Sequence, residues 1–414
     1  MVASLTLEFA ITMQVNCKHF PICGGCSSPQ SDYQNSLKIK ERLLHQLFSP
    51  IFSDKNILPV LPCVPTLGGR NKMEFSFHQT YEGEKSLGFI TPTKPKKGIP
   101  ITDCLMIHKD AMEILRLTRS WWKAYPELQA YYPPKNKGSL CTLTIRIGGP
   151  EHHLMTILTT SARKEYSVDR AIIEQWKCSL VNSSLPITSI IWEEKCSEVN
   201  TPTYFRSHLL HGNAFITQKL TLPKDKNSAT FYIHPRSFFQ PQIQQNEKII
   251  EVIKEFIQPQ GDETLVDLYC GTGTIGIMLS TYVKKVIGIE IIPDSVASAK
   301  ENIIMNNKQS RVEVYLENVQ TFCKRQQDCP PPDVVIIDPP RCGMQNKTLK
   351  YLLRIAPKKL IYVSCNPKVQ FEECCRLIAE GYSIKKMQPI DQFPHSPHLE
   401  NIILLEAKDS QEKH

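Results

Sequence analysis

The stretch LIYVSCNP, Leu360 to Pro367, read together with VVIIDPPRCG, Val334 to Gly343, decides the fold. Each is a short apolar run, rich in β-branched residues, that stops abruptly at polar or turn-forming positions. That is the pattern of a buried parallel strand whose tip emerges into a cleft. In an open α/β sheet, ligands bind outside those carboxyl ends. One tip offers a carboxylate ahead of two prolines, Asp338-Pro339-Pro340. The other offers a thiol, Cys365, held between Ser364 and Asn366-Pro367. A carboxylate and a thiol on neighbouring tips point to covalent catalysis. The plainer reading, Cys365 as a small buried filler, stands beside it.

Working outward, the chain after Pro235 alternates strand and helix. NEKIIEVIKEFI reads as a helix, TLVDLYCG as a strand, IGIMLSTYV as a helix and KVIGIE as a strand. SVASAKENIIMNN is then a helix and RVEVYLEN a strand, ahead of the two runs above. This is the signature of a doubly wound parallel sheet. The first strand ends in DLYCGTGTIG, Asp267 to Gly276, where Gly271, Gly273 and Gly276 let the backbone turn tightly against a nucleotide. Glu290 ends the second strand, where a carboxylate commonly holds ribose hydroxyls. These features leave a dinucleotide and S-adenosylmethionine both open. The DPPR tip favours S-adenosylmethionine, because Rossmann-like methyltransferases place such a tip beside the methyl donor. Asn318, after the third strand, is positioned to meet the adenine.

Before Pro235 the text differs. MEFSFH, CTLTIRIGG, HLMTILTT and ITSIIW alternate with Gly, Pro and Asn breaks, predicting a mostly antiparallel sheet with one helix, KDAMEILRLTRSWWKAY. Further upstream, SDYQNSLKIKERLLHQLF has Leu37, Leu43, Leu44 and Leu47 at helical spacing with Asp32 as a cap. Its 414 residues make two or three domains the expectation. We divide the chain at 1–235 and 236–414. No apolar stretch approaches the roughly 20 residues of a membrane span. The segment MVASLTLEFAITMQVNC lacks a basic leader and a cleavage site, so cytoplasmic residence is expected. A net charge of +8 permits a polyanionic partner without requiring one, and Lys94, Lys96 and Lys97 form an exposed loop or a phosphate contact.

Fifteen cysteines, an odd number, cannot close as disulfides, and in a reducing compartment clustered thiols favour metal or catalytic use. CKHFPICGGC brings Cys17, Cys23 and Cys26 together, with Gly24-Gly25 to fold round an ion or cluster. Three ligands are too few. Cys104 is the leading fourth, while His19 or His108 would favour zinc. Near the end, DQFPHSPHLENIILLE sets Glu400 ahead of an apolar strand, as a solvated acid or as a general base.

These pieces, in order, resemble the S-adenosylmethionine-dependent RNA 5-methyluridine (uracil-C5) methyltransferases, in particular the iron–sulfur branch acting on 23S ribosomal RNA. The resemblance runs from Cys17 to about Glu406. It includes CGGC with Gln30 and Tyr33, RNKMEFSF at Arg70, SFFQPQ at Ser237, DLYCGTGT, IGIE, IDPPR, YVSCNP and FPHSPHLE. It implies a class I methyltransferase domain beside a mainly antiparallel α+β region that holds the cluster and binds RNA. It implies a 4Fe-4S cluster on Cys17, Cys23, Cys26 and Cys104. Gln240, Tyr269, Gly271, Glu290, Asn318 and Asp338 would contact S-adenosylmethionine. Cys365 would be the nucleophile, with its pKa lowered by its surroundings, and Glu400 the base. The helix near 31–48 would pack on the catalytic domain, and the protein would act as a monomer on a loop uridine. Two departures stand out. Too few residues precede Cys17 for the β-barrel RNA-binding domain common in this branch, and Thr274 replaces a side chain common in relatives. A cytosine-C5 enzyme is the nearest rival, but its second cysteine would sit within the proline motif, and Cys342 falls one residue late. A non-catalytic iron–sulfur RNA-binding protein and an NAD enzyme are the other readings.

Overall fold

The structure is a computed structural model, and it describes residues 16–27, 32–53, 56–94, 96–149, 152–198 and 201–408. Gln30 of the cysteine motif lies outside these residues. The first helix, α1 (Tyr33–Phe48), starts where Asp32 accepts the Gln34 N–H, as its sequence predicts. Leu37, Leu44 and Phe48 are buried.

A central seven-stranded sheet follows. Its strands are β1 (Lys72–Gln79), β2 (Lys85–Ile90), β3 (Gly98–Pro100), β4 (Leu140–Gly148), β5 (His153–Ser161), β6 (Ile187–Cys196) and β7 (Tyr204–Gly212), in the order β3-β2-β1-β4-β5-β6-β7. Every neighbouring pair is antiparallel except β5 and β6. A parallel pair needs a crossover, and α3 (Arg170–Val181) supplies it. The sequence reading finds α2 (Lys109–Ala124) but misses α3, whose buried Ile173, Trp176 and Leu180 do carry a helical period. Both helices pack on one sheet face, against Met73, Phe75, Leu143 and Leu158. Lys72, Glu74, Ser76 and His78 alternate to the other face, which is an open groove.

The second seven-stranded sheet comprises β10 (Thr264–Leu268), β11 (Lys285–Glu290), β12 (Val312–Leu316), β13 (Val334–Ile337), β14 (Lys359–Ser364), β15 (Tyr382–Ile390) and β16 (Glu400–Ala407). Their order is β12-β11-β10-β13-β14-β16-β15, with the first five parallel and β16 antiparallel between β14 and β15. Helices α4 (Ile243–Ile257), α5 (Thr274–Leu279) and α6 (Pro293–Met305) join the apolar layer on one face. On the other, α7 (Val319–Gln326), α8 (Asn346–Ile355) and α9 (Pro367–Ala379) share a core with Leu44 and Phe48 of α1. Burial on both faces is why these strands read as continuous apolar runs.

Packing does not follow chain order. The hairpin β8 (Ile216–Thr221) and β9 (Ser228–Ile233) buries Ile216, Leu220 and Phe231 in the same core as α4. Ile57 and Leu61 form parallel bridges to Met387 and Ile390 at the β15 edge. Among the described residues, no helix is long and apolar enough to cross a membrane.

Candidate active site

Strand register brings the predicted chemistry together. Asp338 follows β13, whose Ile337 pairs with Tyr362 of β14, so the Asp338 and Cys365 tips are neighbours. Asn401 of β16 pairs with Ser364, which sets Glu400 opposite the end of β14, beside Cys365. The thiol is held by a tight turn. The Asn366 N–H donates to the Ser364 hydroxyl at 3.1 Å, and the Asn366 amide donates to the Arg341 carbonyl at 3.0 Å. Arg341 in turn meets His398 at 3.1 Å.

The charges here oppose one another. Glu400 is only 3% exposed. Burial, and then the Asp338 carboxylate, push it well above the usual carboxylate range. Burial raises Asp338 as well. The Cys365 thiol is pushed up by burial and by both carboxylates, against the smaller lowering by Arg341. This corrects the expectation of a lowered thiol pKa: one guanidinium does not offset desolvation plus two acids.

A crevice lies at the switch point between β10 and its neighbours β11 and β13. Gly271 and Gly273 have φ of +54° and +77°, a region a side chain would strain. The Glu290 carboxylate accepts the N–H groups of Gly271, Ile291 and Ile292 at 3.0, 2.7 and 2.8 Å, shaping the rim. Asn318 caps α7 by accepting the Gln320 N–H, which leaves its amide nitrogen for a ligand. Tyr269 turns with φ +65°, and its ring packs toward α8 and Thr348. Gln240 is fixed from both sides: its carbonyl accepts from Asn71 at 2.7 Å, and its side-chain oxygen accepts from Gln392 at 2.9 Å.

Sequence reasoning passed over Asp267. It is 1% exposed, neither carboxylate oxygen has a partner of good hydrogen-bond geometry, and burial and then Asp338 push it up to about 8 against the smaller lowering by the Gly276 N–H. Such an orphaned acid is unfavourable unless a cation meets it. Its signal was a lone charge inside the apolar run TLVDL. S-adenosylmethionine carries an ammonium and a sulfonium, so this crevice fits it.

The cysteine site lies on the other sheet. Cys17, Cys23, Cys26 and Cys104 line one cavity of about 130 Å³. Gly24 at φ +68° lets the loop close, since a Cβ there would come within 2.7 Å of Pro92. Burial and the nearby thiols push Cys26 up to about 11, an environment a metal cation would relieve. His19 lines the same cavity but is engaged with Thr102, and His108 caps α2. Among the described residues, no group of three or more His, Cys, Asp or Glu side chains is arranged to hold a metal ion.

Sheet order, glycine turn and acidic crevice define a class I, S-adenosylmethionine-dependent methyltransferase. Residues 205–408 match the family described as tRNA (Uracil-5-)-methyltransferase, and the chain is 72% identical over 396 residues to an uncharacterized RNA methyltransferase of Chlamydia caviae, covering 96% of this chain and 99% of that one. The chain belongs to this family of RNA methyltransferases. An uncharacterized RNA methyltransferase of Chlamydia trachomatis is 62% identical over 391 residues, 94% of this chain and 98% of that one. The solved Pyrococcus abyssi tRNA (uracil-54, C5)-methyltransferase, in complex with S-adenosyl-L-homocysteine, has a TM-score of 0.68 at 24% identity, over 93% of this chain and 86% of that chain. That likeness speaks to the fold.

Proposed function

We propose that this enzyme methylates carbon 5 of a loop uridine in 23S ribosomal RNA through a covalent Cys365 adduct. The observation that carries the reading is the meeting of Cys365, Glu400 and Asp338 on adjacent strand ends. Carbon 5 of uracil is a weak nucleophile. Cys365 adds to carbon 6, and the ring becomes an enolate whose carbon 5 is nucleophilic. S-adenosylmethionine, when bound, supplies an electrophilic methyl group. Glu400 then takes the proton from carbon 5, and elimination releases Cys365. Asp267 would face the donor's cationic end and Glu290 its ribose, with Gln240, Gly271, Tyr269 and Asn318 completing the crevice. The uridine must leave its stack to reach this depth, which suits a loop or bulge. Cys342 is exposed beyond the proline turn, as a uracil enzyme allows.

A 4Fe-4S cluster on Cys17, Cys23, Cys26 and Cys104 would brace the loop that contacts the catalytic unit through the Ser27 N–H and the His395 carbonyl, 2.9 Å apart. A tRNA uridine is the second reading, favoured by the printed name of the family and by the tRNA substrate of the Pyrococcus abyssi enzyme. We take the enzyme to be monomeric and cytoplasmic. The test is incubation of anaerobically purified protein with labelled S-adenosylmethionine and unmodified ribosomal or transfer RNA, followed by nucleoside analysis. Label in 5-methyluridine from ribosomal RNA is expected. Label in 5-methyluridine from transfer RNA alone moves the target, and label in 5-methylcytidine overturns the reading.

A further inference from the structure

Helix α9 begins at Pro367, just past Cys365, and packs its apolar side chains into the core beneath the strand ends. On that same buried side it carries Gln370, which is 0% exposed. A glutamine taken wholly out of water is unfavourable unless its polar atoms find partners. The Gln370 amide nitrogen donates to the carbonyls of Tyr362 and Asn401 at 2.9 and 3.1 Å, and its amide oxygen accepts from the Asn401 amide at 2.8 Å. Carbonyls only accept, so the atom facing them is the nitrogen, and the orientation of the amide is settled.

These partners belong to two strands. Tyr362 lies on β14, shortly before Cys365, and Asn401 lies on β16, directly after Glu400. Ser364 and Asn401 form the last pair of the β14–β16 ladder, so the thiol and the base each stand one residue beyond its end. The end of an element is where local opening costs least. There, a single buried amide ties the two strands together.

The helix that carries this amide is itself fixed. Glu373 accepts from the Tyr362 hydroxyl at 2.6 Å and from the Met344 N–H at 2.7 Å. That bonds α9 to β14 and to the turn that follows Asp338. Residues three apart share a helix face, so one buried edge of α9 reaches all three strand ends of the site. A methionine at position 370 would fill the same place with no polar atom to satisfy. What the glutamine adds is the tie between strands.

We propose that Gln370 is a positioning residue: it clamps the ends of β14 and β16 so that Glu400 stays in reach of carbon 5 while Cys365 is bonded to carbon 6. The assignment rests on the covalent uracil reading and adds to it what sets the spacing of nucleophile and base. The base acts after the thiol, on the neighbouring ring atom, so both must be in register at once. Gln370→Met keeps the length of the side chain and removes its three bonds. Asn401→Ala removes only the side-chain bond and serves if Gln370→Met does not fold. Single-turnover reactions with S-adenosylmethionine and RNA follow the denaturation-resistant protein–RNA adduct and the 5-methyluridine released from it. Gln370→Met should form the adduct within about twofold of the wild-type rate and resolve it about tenfold or more slowly, with affinity for S-adenosylmethionine unchanged. Asn401→Ala should do the same to a smaller degree. Because proton removal has become limiting, deuterium at carbon 5 should slow the variant by a larger ratio than it slows wild type. Hydrogen exchange on the ligand-free variant should quicken in the peptides holding Ser364 and Asn401 and stay unchanged in the central sheet. In whichever variant folds, formation and resolution slowed equally, both rates unchanged, or unchanged exchange at Ser364 and Asn401 overturns the clamp. A wild type that forms neither adduct nor 5-methyluridine refutes the uracil reading, and faster exchange in the variant then leaves the tie between strands standing.

Discussion

Cys365 faces two carboxylates and one guanidinium, and its chemistry needs thiolate at the same time as ionised Glu400. Burial raises both groups, Asp338 raises Glu400 further, and both acids raise the thiol. Both groups therefore hold their protons more tightly than usual, and each ionisation advances as pH rises. We expect kcat/KM to climb steadily from the neutral into the alkaline range, because a raised carboxyl and a raised thiol must both lose their protons. A pH profile that is flat or falling across that range would contradict this placement of charge. Asp267 makes a second prediction. Its folded pKa of about 8 exceeds its unfolded value, so the stability tied to its proton is full at low pH and drains away as pH rises through about 8. Asp267→Asn removes that penalty. The ligand-free variant should unfold at a higher temperature than wild type near pH 8 while binding S-adenosylmethionine more weakly. Thermal scans and a binding titration check both, and a less stable variant with full affinity would remove Asp267 from the crevice's cation site. The sequence marked Cys365, Asp338 and Glu400 because each ends or begins an apolar run. It could not show their mutual electrostatics, which depend on the antiparallel return of β16.

At the scale of elements, α1 binds the loop that leads to Glu400. Lys40 and Asp391 form a buried pair at 2.6 Å, 2% and 0% exposed. The Tyr33 hydroxyl donates to the other Asp391 oxygen at 2.7 Å, and Lys40 also donates to the Phe393 carbonyl at 3.1 Å. These bonds anchor the turn leading into β16. Removing one partner strands a buried charge, so Lys40→Ala should cost about 3–5 kcal/mol in denaturant unfolding. The apolar pair Lys40→Met with Asp391→Leu should cost far less. A loss below about 1 kcal/mol for Lys40→Ala, the scale of an exposed pair, would mean that the loop is held otherwise. Helical spacing predicted α1 well, although Leu43 turns out to be 54% exposed. Lys40 was not legible as a core residue, because its partner lies 351 positions away. The same limit hid α3, whose period is real but sits amid strand-like text.

Across the whole molecule, two sheets divide the labour. The parallel sheet holds the reacting groups, and the central sheet holds the cysteine site on one side and the groove on another. Contiguous motifs were readable because one turn or strand tip brings their residues together. The groove draws on six strands and was invisible until they were paired. The cysteine site lies between: three of its thiols are local in sequence, and Cys104 joins their cavity only in the fold. Anaerobically purified protein should contain iron and acid-labile sulfide, and Cys104→Ser should lose both and unfold at a lower temperature. Iron-free wild type of unchanged thermal stability would contradict the cluster.

The central claim is that Cys365 bonds to carbon 6 of a uracil. Its most direct test is reaction of the enzyme with S-adenosylmethionine and RNA containing 5-fluorouridine, whose carbon 5 has no proton for Glu400 to remove. We predict a denaturation-resistant protein–RNA adduct that mass spectrometry maps to the peptide holding Cys365 and that Cys365→Ala abolishes. An adduct on another residue, or normal methyl transfer to ordinary RNA by Cys365→Ala, would contradict the account.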